Sequence, residues 1–229
     1  MTSVSAPSAA SHGSATADGL AIAASVSTLA LLAALHVLSP EFDPSWRAVS
    51  EYATGQHGAV LSAMFLSWAV SSWALAFSLW PQVQARWGRI GLAFLVAAGV
   101  GEAMASIFDI THPLHGVSAM IGIPSLAIAA MLVSINLGRT PEWRSARAAL
   151  RWTSNLTWIS LLILAASFGV FISTYRAAGG NVTDGVAPTT LPEGVIAVIG
   201  WANRFLIVAY CAWVFTTAWH SRRQLRQPS

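Results

Sequence analysis

Six apolar runs, at residues 19–38, 58–80, 88–108, 115–137, 153–174 and 194–218, occupy most of this 229-residue chain. As a helix, each is long enough to cross a hydrocarbon layer of roughly 30 Å. Inside a bilayer no water meets backbone N–H and C=O groups, so each run must satisfy its own, and a helix does so within one segment. The punctuation agrees. Ser39-Pro40 closes the first run and Pro81 the second, Pro113 precedes the fourth, and Gly138 and Pro141 follow it. Pro124, inside the fourth run, predicts a kink. The fold class that follows is all-α: a polytopic membrane bundle of six transmembrane helices over residues 18–220. A Ser/Ala/Thr-rich stretch at 1–17 reads as a disordered tail, and residues 221–229 as a short basic tail. With no basic segment ahead of it and no small-residue cleavage site after it, the first run reads as a retained span rather than a signal peptide.

Composition excludes the alternatives. Only 9% of residues are charged and 55% are hydrophobic, whereas a soluble domain carries about 25% charged residues. The twelve basic residues are all Arg and lie beside apolar runs rather than in one patch. The net charge of +3 therefore reads as a set of topology determinants and the expected partner is a lipid bilayer, not a nucleic acid. The single cysteine, Cys211, lies within an apolar run and excludes an intramolecular disulfide.

Arginine placement sets the expected orientation. Arg86, Arg89, Arg139, Arg144, Arg147, Arg151, Arg222, Arg223 and Arg226 make nine on one side of the bundle, against Arg47 and Arg176 on the other. By the positive-inside rule both termini are cytoplasmic, in a multi-pass protein of the cell membrane. Trp80, Trp87, Trp143, Trp152 and Trp219 fall near the same boundary, where indole rings favour the interface. None of the eleven Trp reads as a ligand group.

Acids and histidines follow the opposite distribution and gather toward the non-cytoplasmic ends. Glu102, Ser106 and Asp109 share one face of the third run at i, i+4, i+7. Glu102 then lies about 10 Å inside the helix end, where an isolated carboxylate must be neutral, wetted or paired. Arg204, roughly 15 Å along the last run from the same side, is its expected partner, with Asn203 adjacent. Such an ion pair serves either as a lock between the third and sixth helices or as the charged floor of an outward cavity.

Two connections carry further candidates. Asp109, His112 and His115 supply one oxygen and two imidazoles within seven residues, a partial ligand set for zinc or another divalent metal. His36, His57, Glu51 or Asp43 would complete it; alternatively His112 caps the fourth helix and His115 bonds a neighbouring loop. The first loop, Ser39 to His57, holds Ser50, Glu51 and Tyr52, with Glu51 and His57 as a possible acid/base pair. No nucleophile elbow surrounds Ser50, so this loop reads equally as a solvated connector. Asn181-Val182-Thr183 matches a short glycosylation pattern.

Three motifs in order, Ser50-Glu51-Tyr52-Ala53-x-Gly55-x-x-Gly58, Phe108-Asp109 leading to His115-Gly116, and Asn203-Arg204, resemble those of a prokaryotic membrane family, domain of unknown function 998. The resemblance spans roughly residues 20–220 and implies a multi-helix membrane bundle without assigning a reaction. The functional expectation is an outward-facing polar cavity that binds a lipid headgroup or small solute. Its candidate ligand-binding residues are Ser50, Glu51, Tyr52, His57, Glu102, Asp109, Asn203 and Arg204; no residue is assigned a catalytic role. The competing expectations are a metal-assisted hydrolase on Asp109, His112 and His115, and a haem protein with axial ligands drawn from His36, His57 and His115.

Overall fold

Each apolar run carries one long helix. The computed structural model describes residues 9–180 and 190–225. It consists of α1 (Ala9–Leu38), α2 (Gly58–Leu79), α3 (Arg86–Ile107), α4 (His115–Leu137), α5 (Arg147–Ala177) and α6 (Ile199–Leu225). Short 3₁₀ helices at Val49–Thr54 and Pro141–Ala146 interrupt the α1–α2 and α4–α5 connections, and no strand occurs among the described residues. All six long helices have the length and hydropathy to cross a membrane.

The boundaries depart from the apolar runs where polar groups find partners. α1 begins at Ala9, so residues 9–17 join a helix instead of the tail expected there. Asp18, in its third turn, is buried and accepts a hydrogen bond from Ser78 Oγ at 2.5 Å. Ser78 lies 3.4 Å from Ser221 Oγ, which also accepts from Gln82 Nε2 at 2.7 Å. This cluster joins the start of α1 to the ends of α2 and α6, which places both ends of the described chain at one end of the bundle. At the far end α6 starts at Ile199, later than its apolar run, because Gly194 turns at φ +82°. The Ile196 N–H bonds Thr174 Oγ1 of α5 at 3.2 Å, so the connection crosses the end of the bundle before the helix begins. α4 starts at His115, behind Leu114 rather than His112; the His112 ring instead accepts the Leu114 N–H at 3.1 Å. The Asn181-Val182-Thr183 pattern lies outside the described residues.

Consecutive helices pack side by side, α1 closes the ring against α6, and α6 also touches α2 and α4. α6 is accordingly the most enclosed element, with Leu206, Ile207, Tyr210, Trp213 and Val214 all buried. Polar groups on it find partners inside: Trp213 Nε1 donates to Ser134 Oγ at 2.9 Å, and Tyr210 donates to the Ile123 carbonyl, beside Pro124, at 2.8 Å. α5 is the outlier, with Ile159, Leu162, Ile163 and Phe168 exposed as a lipid-facing belt. Lipid tails are as apolar as Leu, so close contact rather than hydrophobic exclusion holds such helices together. The α3–α4 pair shows it at Gly101. A Cβ there would collide with the backbone N and Cα of Gly122 and the carbonyl of Ser118.

Gly101→Val therefore wedges α3 from α4 and should cost roughly 1–3 kcal/mol or more. Gly169, with nothing within 4 Å of its notional Cβ, is the control. Thermal unfolding in detergent should show the midpoint fall for Gly101→Val and hold for Gly169→Ala.

Candidate functional site

At the far end, the α1–α2 connection folds over the start of α6 and is fastened there by one buried guanidinium. Arg204 sits in the second turn of α6. Its Nε donates to His36 Nε2 at 2.7 Å, one terminal nitrogen to the carbonyls of Arg47 at 2.8 Å and Gly200 at 3.0 Å, and the other to the Tyr52 hydroxyl at 2.9 Å. His36 Nδ1 lies 2.7 Å from the Leu32 carbonyl, one turn back on α1. A carbonyl accepts only, so Nδ1 carries the ring proton and Nε2 offers its lone pair to Arg204: a neutral imidazole in one tautomer. Gly200 permits the close approach. Its N–H bonds the Ser45 carbonyl at 3.1 Å, and a Cβ would collide with the backbone at Pro44, Trp46 and Arg47.

The rest of the loop is built around this clamp. Asn203 Oδ1 accepts the Val49 N–H at 2.9 Å, and Glu51 Oε1 accepts the Ala48 N–H at 2.7 Å, closing the first turn of the 3₁₀ helix. Arg47 Nε lies 2.8 Å from Glu51 Oε2, the one ion pair among the described residues. Burial pushes the Glu51 carboxyl above its ordinary value, against the pull of the Ala48 N–H and the Arg47 and Arg204 charges. Asp43 is held low instead by the hydroxyl and N–H of Ser45, which its exposed carboxylate accepts at 2.7 and 2.8 Å. Tyr52 is fully enclosed, edge-on to Phe42 at 5.1 Å and His36 at 6.1 Å. His57 Nδ1 is 3.2 Å from Ser39 Oγ. Glu51 and His57 thus have separate partners, and the expected acid/base pairing between them does not form.

Nor does the expected ion pair between Glu102 and Arg204. Glu102 accepts from Ser72 Oγ at 2.8 Å, while Arg204 is served by neutral acceptors. The reason is angular. Asn203, Leu206, Ile207 and Tyr210 form the i, i+3, i+4, i+7 stripe of α6 that shares a cavity with Glu102. Arg204 is rotated about 100° from Asn203 and meets α1 and the loop instead.

That cavity, of about 100 Å³, is the second part of the site. Its walls are mainly apolar: Phe65 and Trp68 of α2, Ala105 of α3, Ala119 and Ile123 of α4, and Leu206 and Ile207 of α6. The polar groups are Glu102, His115, Ser118, Asn203 and Tyr210, with Val49 and Ser50 bordering it from the loop. His115 Nδ1 lies 2.9 Å from the Phe108 carbonyl, an acceptor only, so Nδ1 carries a proton. Trp68 is buried, stacks with Phe65 at 6.4 Å and meets Tyr210 edge-on at 6.0 Å. Its indole N–H has no acceptor among the described residues. A buried donor left without a partner costs about 1–3 kcal/mol.

The α3–α4 connection does not assemble the expected metal ligands. Asp109 is exposed and takes both the N–H and the hydroxyl of Thr111, at 2.8 and 2.6 Å, which hold its carboxylate low. His112 stacks on Phe108 at 4.6 Å. Only His115 reaches the cavity, and among the described residues no three His, Cys, Asp or Glu side chains are grouped to hold a metal. The histidines considered for haem are engaged instead: both nitrogens of His36 have partners, His57 Nδ1 is 3.2 Å from Ser39 Oγ, and His115 Nδ1 is 2.9 Å from the Phe108 carbonyl. Of the expected ligand residues, Ser50, Glu102 and Asn203 border the cavity, together with His115 from the metal set. Glu51, Tyr52 and Arg204 build its lid, and His57 and Asp109 lie apart. The sequence reading expected Ser72 to hydrogen-bond within or between helices, as it does with Glu102, but missed Trp68 and Tyr210. The available signal was a Trp in the middle of an apolar run, where interfacial anchoring does not explain it.

Because Arg204 rather than Glu102 fastens the loop, the two residues should fail differently. Arg204→Ala strands His36, Tyr52 and two carbonyls and should cost about 3 kcal/mol. Limited proteolysis should then cut between residues 39 and 57, and Lys at 204, lacking the planar fork, should not restore protection. Glu102→Gln keeps an acceptor for Ser72 and should leave the loop resistant.

The geometry agrees with the order of motifs along the chain, in which the loop, the α3–α4 turn and Asn203-Arg204 meet at one end of the bundle. No curated protein and no solved structure matches the chain. The family described as protein of unknown function (DUF998) matches residues 22–220, which takes in all the elements of the site from the second half of α1 to the last turns of α6. The chain belongs to that family.

Proposed function

We propose that this is a binding protein whose cavity takes a compact amine, either free or as the tip of a lipid headgroup. One observation carries the reading: a buried carboxyl, Glu102, and a buried indole N–H without an acceptor, Trp68, line the same small cavity. Mostly apolar walls with a few convergent polar groups are the usual form of a small-molecule site. Size narrows the occupant. A cavity of about 150 Å³ holds benzene, so about 100 Å³ accommodates on the order of four heavy atoms. Charge narrows it further. An ammonium group would be drawn to Glu102 and to the aromatic faces of Phe65, Trp68 and Tyr210. A neighbouring hydroxyl or ester oxygen would accept the Trp68 N–H. The arginine bias toward the opposite end of the bundle supports a cavity that faces outward.

Ethanolamine, with four heavy atoms, is the probe, and ethylene glycol its uncharged counterpart. Calorimetric titration of the detergent-solubilised protein should show ethanolamine binding and ethylene glycol failing. Glu102→Gln should abolish binding, and Trp68→Phe, which keeps the ring and loses the N–H, should weaken it about tenfold. Equal binding of both probes, or unchanged affinity in Glu102→Gln, would overturn the proposal.

A further inference from the structure

A second candidate site lies at the opposite end of the bundle, between α4 and α5, and does not depend on the cavity around Glu102. There a groove of about 660 Å³ is bordered by Arg139, Arg147 and Arg151, with Ser154 and Asn155 beside them and Met131 and Ile135 along its α4 flank. Arg147, Arg151 and Asn155 follow one another at one-turn intervals on a single face of α5. Arg147 is anchored by donating its Nε to the Gly138 carbonyl, at the end of α4, at 2.6 Å. No carboxylate pairs with any of the three guanidiniums among the described residues, where the one ion pair is Arg47 with Glu51. Glu142, the acid on the intervening 3₁₀ helix, is exposed and pairs with none of them.

We propose that this groove binds the phosphate of an anionic glycerophospholipid. The groove is laid out in the order of such a lipid. Three positive charges stand at the end of the helices, where Trp152 is exposed and suited to the bilayer interface. Arg guanidinium forks match phosphate oxygens in pairs, and basic pockets between transmembrane helices recognise such headgroups. Ser154 and Asn155 follow at glycerol depth. Asn155 is an exposed amide on a helix otherwise presenting Ile159, Leu162 and Ile163 to lipid, and an ester carbonyl would give it a partner. Met131 and Ile135, both exposed, continue the groove where an acyl chain would lie.

The test is thermal unfolding of the full chain in neutral detergent, titrated with phosphatidylglycerol, phosphatidylcholine or inorganic phosphate. Phosphatidylglycerol should raise the midpoint, and the other two should not. Arg151→Gln and, separately, Arg139→Gln should raise the half-saturating phosphatidylglycerol concentration on the order of tenfold. Arg144→Gln removes the same charge from the same connection but outside the groove, and should leave it unchanged. Equal stabilisation by phosphatidylcholine, or full stabilisation by inorganic phosphate, would overturn the proposal, as would an equal loss in Arg144→Gln. Because neither arm touches Glu102 or Trp68, the outcome is independent of ethanolamine binding.

Discussion

A guanidinium removed from water needs hydrogen-bond acceptors around its planar fork, and the far end of this bundle is arranged around that demand. Arg204 meets it with an imidazole, a phenol and two carbonyls rather than with a carboxylate. Each acceptor comes from a different place: the last turn of α1, the loop, the 3₁₀ helix and α6 itself. Satisfying one side chain therefore fixes the position of the whole α1–α2 connection. The arrangement also dictates the tautomer of His36 and requires a residue without Cβ at position 200, where the loop backbone lies against α6.

Adjacent residues of α6 divide the labour. Asn203 points along the stripe shared with Glu102, bonding the Val49 N–H and bordering the cavity, while Arg204 faces α1 and the loop. The clamp and the cavity are in this way neighbours without sharing a charge pair. Among the described residues the Glu102 carboxyl has a single hydrogen-bond partner, the Ser72 hydroxyl.

The six spans were legible because about 20 apolar residues leave a chain few choices in hydrocarbon. The depth of Glu102, and its company with Asn203 near the end of the bundle, were legible from residue counting along each run. The pairing of Glu102 with Arg204 was misjudged because counting gives depth and not azimuth, and one residue of rotation separates facing the cavity from facing the loop. The start of α6 was hidden by an apolar connection, Val195 to Val198, that reads like helix until Gly194 and the Thr174 hydroxyl bend it aside. The early start of α1 had a legible cause in Asp18, but its partners Ser78 and Ser221 are far apart in sequence and ordinary in type.

Closure of the ring by α6 also carries a cost in time. A ribosome delivers the 39–57 loop long before Arg204 exists, so three acceptors, on His36, Arg47 and Tyr52, wait for a guanidinium that is made after four further spans. The same delay holds at the other end, where Ser221 reaches Ser78 and Gln82 only once the last turns of α6 have been made. Until Arg204 is made, the α1–α2 loop lacks the guanidinium that joins it to α6, although its own residues precede five of the six long helices.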